Sequence, residues 1–389
     1  MNNATAKTQT SEIIDWLLGQ GRSYADAGYF LEAFAHRLRE SNLPVDRGTI
    51  GAPVLHPVAQ SVFAIWDMES GVRANSVKWD EDGLARLKNS PIYNLYTKGE
   101  GLSWDLRPEG AEDLYPLGEE LKKDGFTHYL AMPLPFADQT TKAFTVQTKA
   151  PEGFSPDDLE TLEACRQAIA CVLEFYSQRR LASTLMETYV GTRAGQRVLD
   201  GNIKRGDGET LSAVIWMSDL RGFTELASRT SPTELLMRLD QYFGLVTDVV
   251  SQNQGEVLKF IGDAVLAVFP VGGDKKHAVK CAELAWQSAI DAVAAPDWPD
   301  DLRFGVGLHV GDVFYGNIGG ESRLDFTVIG SAVNQVSRIE GLCGALDEPV
   351  LVSTEFQQFS GKNYRSTGLH QLKGVASPVE VYAPEVGTP

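Results

Sequence analysis

Two aspartates stand where carboxylates could do chemistry. Asp219 closes the apolar run Ile215, Trp216, Met217, Ser218 and is followed by a glycine-containing turn, Leu220, Arg221, Gly222. A strand that ends this way delivers its carboxylate at the mouth of a sheet. Asp263 follows Ile261 and Gly262 between the apolar runs Val257 to Phe260 and Ala264 to Phe269, the pattern of a hairpin tip. Singly, each is an ordinary turn residue. If the first strand lies beside the hairpin, the two carboxylates converge at one end of the sheet, and such a pair suits a hard divalent cation that prefers oxygen ligands.

Three further side chains are out of keeping with their surroundings. Lys259 lies four residues before Asp263 inside an otherwise apolar strand. An ammonium there is costly unless an anion or a hydrogen-bond acceptor meets it, or unless it snorkels to the edge. Asn334 and Arg338 are spaced i, i+4 in SAVNQVSRIEG, with Ser331 as the expected N-cap and Val333, Val336 and Ile339 turned inward. Both therefore leave one face of a helix. A solvated face is one reading; the other is recognition of a strained nucleotide, the amide fixing a sugar and the planar guanidinium meeting charge that builds on a phosphate.

The elements that must hold these residues follow a simple order. A strand over 211–218 precedes a helix that begins after Ser231 with Pro232 in its first turn and turns Leu235, Leu236, Leu239, Phe243, Val246 and Val250 inward. The hairpin comes next, then a helix from about His277 to Val293, then a strand pair, Phe304 to Val310 and Val313 to Ile318. The order βαββαβ is the ferredoxin-like plan, so the fold class is α/β in the α+β sense. Upstream, residues 12–41 read as helices, and 60–67, 128–135 and 143–148 as strands of a mixed sheet flanked by helices. A long amphipathic helix runs from 156, with Leu159, Leu162, Cys165, Ile169, Val172, Leu173 and Tyr176 on one stripe. Its copies are expected to pair across a dimer axis. His56 and Trp66 are candidates for a pocket, although a lone histidine is more often structural.

Composition narrows the field. With 389 residues the chain exceeds one ordinary core, and 43% hydrophobic and 22% charged residues describe a globular protein. The formal net charge of −17 argues against nucleic acid or an anionic membrane as partner. The four cysteines, Cys165, Cys171, Cys281 and Cys343, show neither disulfide nor zinc spacing and are expected as buried free thiols. No secretory leader and no apolar window of about 18 residues is evident, so a cytoplasmic location is expected.

Four stretches, SDLRGFT, LKFIGDAVLAVF, GLHVGDVFYGNIG and DFTVIGSAVNQVSRIEG, occur in an order and at intervals that resemble the class III adenylate and guanylate cyclases over about residues 205–385. The resemblance implies that Asp219 and Asp263, with the backbone carbonyl of Leu220, hold two metal ions, Mg2+ or Mn2+, per active site. It implies that Lys259 and Thr327 read the purine, that Asn334 orients the ribose, that Arg338 stabilises the transition state at the α-phosphate, and that Lys373 contacts the polyphosphate. Lys with Thr resembles a bacterial adenylate cyclase subgroup. An ammonium suits a ring-nitrogen acceptor of adenine and a threonine oxygen suits its amine, whereas guanine reverses part of that pattern. ATP is thus the implied substrate, cyclic AMP the product and a homodimer the implied assembly. The alternatives are a guanylate cyclase and a non-catalytic nucleotide-binding dimerisation module. A diguanylate cyclase fits less well, because the GGD of VGGDKK follows the hairpin and is not at its tip. The N-terminal part resembles a GAF-type sensor domain over about residues 20–180, with an unknown small molecule or signal as its ligand. The expected division is 1–180 sensor, 181–204 signalling helix and linker, and 205–389 catalytic domain.

Overall fold

A computed structural model describes residues 3–53, 59–78, 81–294, 298–299, 302–321, 323–374 and 377–385. His56 lies outside the described residues. The chain divides into two compact units, Met1–Leu185 and Met186–Pro389.

The first unit opens with α1 (Asn3–Gly19) and α2 (Ala27–Glu40). Asp26 caps α2, its carboxylate accepting from the backbone N–H groups of Gly28 at 2.7 Å and Tyr29 at 3.0 Å. There follow β1 (Arg47–Pro53), β2 (Ala59–Asp67), β3 (Gly71–Lys78), α3 (Glu81–Lys88), α4 (Pro91–Lys98), β4 (Leu102–Asp105), α5 (Leu117–Lys123), β5 (His128–Pro135), β6 (Thr141–Thr148) and α6 (Pro156–Val190). The six strands form one sheet in the order β3-β2-β1-β6-β5-β4. Helices and sheet combine as the sequence implies, and every described pairing in this sheet is antiparallel.

Strand alternation gives the sheet two packed faces. Leu130 and Met132 of β5 join a core with Phe30, Phe34, Ile169 and Val172, whereas Tyr129 and Ala131 join Trp104 and Leu121. The stripe on α6, from Leu162 to Tyr176, is consumed by the first of these cores. That stretch of helix therefore does not offer its apolar face to a second copy, contrary to expectation, because burying it against α1, α2 and the sheet removes the same surface from water. Trp66, expected to line a pocket, is instead a core residue at 1% exposure, set edge-on to His36 at 5.4 Å. Cys165, Cys281 and Cys343 are buried free thiols; Cys171 is exposed, since it turns away from the stripe of α6 that buries Cys165.

The second unit comprises α7 (Thr192–Leu199), β7 (Gly208–Leu220), α8 (Phe223–Arg229), α9 (Pro232–Gln252), β8 (Glu256–Ile261), β9 (Ala264–Pro270), α10 (Lys275–Val293), β10 (Phe304–Gly319), β11 (Leu324–Ile329), α11 (Ser331–Glu340), α12 (Cys343–Leu346), β12 (Val350–Ser353), α13 (Thr354–Gln357), β13 (Tyr364–His370) and β14 (Val379–Pro384). Its sheet runs β13-β14-β12-β10-β7-β9-β8, with β11 pairing β10. The central four, β10-β7-β9-β8, are the βαββαβ core read from the sequence. Ser231 caps α9 through its side chain and Pro232 begins the helix, as expected.

β7 is buried on both faces. Val214 and Trp216 pack into a core with α9 and α10, while Ala213, Ile215 and Met217 pack into a second core with α11 residues Ala332 and Val336.

Three local expectations are corrected. The strand pair expected at 304–310 and 313–318 is one 16-residue strand. Gly311 and Asp312, read as a turn, face Ala213 and Ser212 in an unbroken ladder, because β7 supplies a continuous partner from Gly208 to Leu220. The cap of α11 is Gly330, not Ser331, which is already the first residue of the helix. Leu236, expected to face inward, is 58% exposed together with Met237 at 62%, because Tyr242, Val246, Val249 and Val250 set the buried stripe of α9.

Candidate active site

β7 and β9 are paired from Ala213↔Pro270 to Ser218↔Val265. This register brings Asp219, at the end of β7, beside Asp263, in the turn that opens β9. Gly262 holds φ +67° in that turn, a conformation that glycine adopts without strain. The Tyr242 hydroxyl of α9 donates to Ser218 Oγ at 2.9 Å and fixes the strand one residue before the acid. Asp219 Oδ1 is buried without a hydrogen-bond partner. Burial, and then the Asp263 carboxylate beside it, push Asp219 up to about 7, against a bond from the Leu220 backbone N–H that favours the charged form.

Asp219 opens on a cleft of about 560 Å³ lined also by Leu220, Arg221, Glu340 and Asp347. Arg221 ties the end of β7 to the segment after α11, donating to Asp347 Oδ1 at 3.3 Å and to the Cys343 carbonyl at 3.3 Å. Glu340 is a third acid at this cleft that sequence reasoning missed. Burial and then the charge of Asp219 push it up to about 8. Its signal was available: it falls four residues after Val336, on the inner stripe of α11, where an acid is out of place. Among the described residues no group of three or more His, Cys, Asp or Glu side chains has the arrangement of a closed metal site. An unpartnered carboxylate oxygen next to a second carboxylate nevertheless fits a hard dication completed by water and phosphate oxygens.

Lys259, on β8, and Thr327, on β11, belong to a second cluster. The Lys259 ammonium donates to Asp325 Oδ2 at 2.5 Å. Thr327 is 5% exposed and its hydroxyl has no partner. Asp325 was also missed; two residues from Thr327 on a strand, it leaves the same face.

α11 carries the third cluster. It lies directly on the backbone of β10: a Cβ at Gly307 would stand 2.8 Å from the Glu340 nitrogen, and one at Gly311 2.6 Å from Ala332 Cβ. Asn334 is exposed one turn before Arg338, on the same side of the helix. Arg338 donates to the backbone carbonyl of Lys373, which brings those two expected residues together. Among the described residues, no hydrogen bond or ion pair joins the acid pair to Lys259, Asn334 or Arg338.

Residues 209–382 match the family described as the adenylate and guanylate cyclase catalytic domain. Adenylate cyclase 1 of Rhizobium meliloti is 30% identical over 174 residues, 42% of this chain and 26% of that protein. The adenylate cyclase of Anabaena cylindrica is 34% identical over 146 residues, 36% of this chain and 29% of that protein. The crystal structure of the guanylyl cyclase Cya2 is 30% identical, covers 46% of this chain and 93% of its own, and has a TM-score of 0.38. The chain thus spans about a quarter to a third of these curated relatives. No helix among the described residues is long and apolar enough to cross a membrane. Residues 209–382 are thus a catalytic domain of the adenylate and guanylate cyclase family.

Proposed function

We propose that the chain is an adenylate cyclase that converts ATP to 3′,5′-cyclic AMP and pyrophosphate as a cytoplasmic homodimer. The observation that carries the choice of adenine is a Lys259 ammonium held by Asp325, two residues along β11 from the buried, unpartnered hydroxyl of Thr327. The ammonium donates to a ring nitrogen and the hydroxyl accepts from the exocyclic amine. Guanine would set donor against donor at the ring nitrogen, a mismatch of on the order of 1–3 kcal/mol when buried.

Asp219 and Asp263, with the Leu220 carbonyl, hold two magnesium or manganese ions. When bound, these supply a lowered pKa for the ribose 3′-hydroxyl and neutralise the triphosphate. Asn334 holds the ribose so that the hydroxyl faces the α-phosphorus in line with the departing pyrophosphate. Arg338 presents its guanidinium to the charge that grows on the α-phosphate, and Lys373 meets the polyphosphate. Positioning and charge neutralisation provide most of the acceleration.

The acid pair, the Lys259 and Thr327 pair and the Asn334 and Arg338 face are carried by different elements, and we read the site as composed across two copies. The exposed side chains of Leu236, Met237, Phe260 and Ile261 provide apolar surface for that contact. We read residues 1–180 as a GAF-type regulatory unit on the order of its elements, 181–204 as the linker and 205–389 as the catalytic domain. The test is turnover by purified protein given ATP or GTP with magnesium or manganese. Cyclic AMP from ATP, abolished by Asp219→Asn, is expected. Faster turnover of GTP than of ATP would replace the proposal with a guanylate cyclase.

A further inference from the structure

Arg221 directly follows Asp219 and Leu220, and both its backbone and its side chain are tied down. Its N–H donates to the Arg303 carbonyl at 2.8 Å, one rung beyond the ladder between β7 and β10. In a trans peptide the N–H and the C=O of the preceding residue point in opposite directions. The Leu220 carbonyl is therefore turned away from β10, towards the side of β7 on which β9 lies and on which Asp263 meets Asp219.

The guanidinium grips the corner between α12 and β12. It donates to the carbonyls of Cys343, at 3.3 Å, and of Glu348, and to Asp347 Oδ1 at 3.3 Å. Asp347 turns that corner at φ +53°, so the fork holds backbone on both sides of the turn. The ion pair itself does not account for the arrangement, because the Asp347 side chain is 89% exposed and such pairs contribute little to stability. Backbone carbonyls are fixed acceptors, and a rigid planar fork meets two of them in a way that a lysine ammonium does not. Arg221 also lines the cleft beside Asp219. By charge a cation there opposes a dication, so any help it gives to a metal must come from geometry.

We infer that Arg221 is a positioning residue for the metal site: bonded to Arg303 and clasped to the corner after α12, it holds the Leu220–Arg221 peptide so that the Leu220 carbonyl stays on the side of the two carboxylates. The inference rests on the cyclase reading. Binding of Mn2+ to the nucleotide-free chain, followed by electron paramagnetic resonance and counted as the part that Asp219→Asn loses, is the measurement. Arg221→Met and Arg221→Lys are both expected to raise the Kd for Mn2+ about tenfold, the scale of one lost charge-assisted hydrogen bond. In turnover the Mn2+ concentration for half-maximal rate should rise by the same factor, while kcat and KM for ATP at saturating Mn2+ return to those of the unchanged chain. A merely destabilised fold would lower kcat at every Mn2+ concentration and leave the half-maximal concentration in place.

Mn2+ binding that is unchanged in both variants overturns the inference, as does tighter binding by Arg221→Met, the result that loss of a charge gives by itself. A lysine variant that binds as the unchanged chain does also overturns it, since charge without the fork then suffices. Weaker Mn2+ binding by both variants of a chain that makes no cyclic nucleotide sinks the cyclase reading and keeps the positioning role. An unchanged chain with no Mn2+ binding that depends on Asp219 sinks both.

Discussion

At the scale of single residues, the acid pair makes a claim that needs no turnover to test. Asp219 in the folded chain takes its proton up to about pH 7, whereas an unfolded aspartate releases it near 3.9. The folded state therefore binds more protons than the unfolded state between those values. Stability of the metal-free protein is full below about pH 4 as far as this group is concerned, and falls as pH rises towards 7. Asp263→Asn removes the neighbouring charge, so in chelator its Tm should exceed that of the unchanged protein at about pH 8, and the gap should close at about pH 5. Magnesium or manganese should raise the Tm of the unchanged protein at about pH 8 and do little for the variant. Melting curves in chelator and in metal check this; a variant less stable than its parent at every pH refutes it. Both aspartates were legible in sequence because each ends an apolar run. Glu340 showed only as an acid out of place on the inner stripe of α11, and Asp325 not at all, since each acquires its meaning from a residue far off in the chain: Asp219 across the cleft for the one, Lys259 for the other.

At the scale of elements, the position of Asn334 and Arg338 depends on how closely α11 approaches β10. Glycines two and six residues after Gly305 let helix backbone and side chains occupy the space where side chains of β10 would stand. Gly307→Ala puts a methyl group 2.8 Å from the Glu340 nitrogen and 2.9 Å from the Val336 carbonyl. Neither neighbour is the free end of a side chain, so the helix must lift. The expected cost is about 1–3 kcal/mol of stability, read by denaturant unfolding, together with a fall in kcat, because a displaced guanidinium no longer meets the α-phosphate. Unchanged stability and kcat would show that α11 is not seated by this contact. The βαββαβ order, the hairpin with Asp263 and the start of α9 at Ser231 could all be read from periodicity and caps. The single strand over 304–319 could not. Gly311 and Asp312 carry the local signal of a turn, and only the ladder to Ala213 and Ser212, nearly a hundred residues earlier, overrides it. The same holds for α6, whose stripe was legible while its partner, the unit's own core, was not.

At the scale of the whole molecule, the question is whether one chain can complete a site. The acid pair at the β7 and β9 end, Lys259 and Thr327 on β8 and β11, and the Asn334 and Arg338 face of α11 are three clusters within one unit. Among the described residues, Asp219 and Asp263 share no hydrogen bond or ion pair with the residues proposed to grip the nucleotide. If two copies pair about a two-fold axis, each site takes its carboxylates from one chain and its Lys259, Thr327, Asn334 and Arg338 from the other. Two separately dead chains then complement each other. In a heterodimer of Asp219→Asn with Asn334→Ala, one site carries both lesions and the other carries neither. Random mixing makes about half of all dimers mixed, and each mixed dimer holds one sound site of two, so about a quarter of the parental rate should return. That recovery should be slow if it requires exchange of subunits, and should fall on dilution as dimers part. A pair of lesions in the same cluster, Asp219→Asn with Asp263→Asn, should recover nothing, because every site then takes its carboxylates from a chain that lacks one of them. Recovery by the second mixture as well as the first would mean that activity arises some other way; recovery by neither, with dimers present, would mean that each chain builds its site from its own residues.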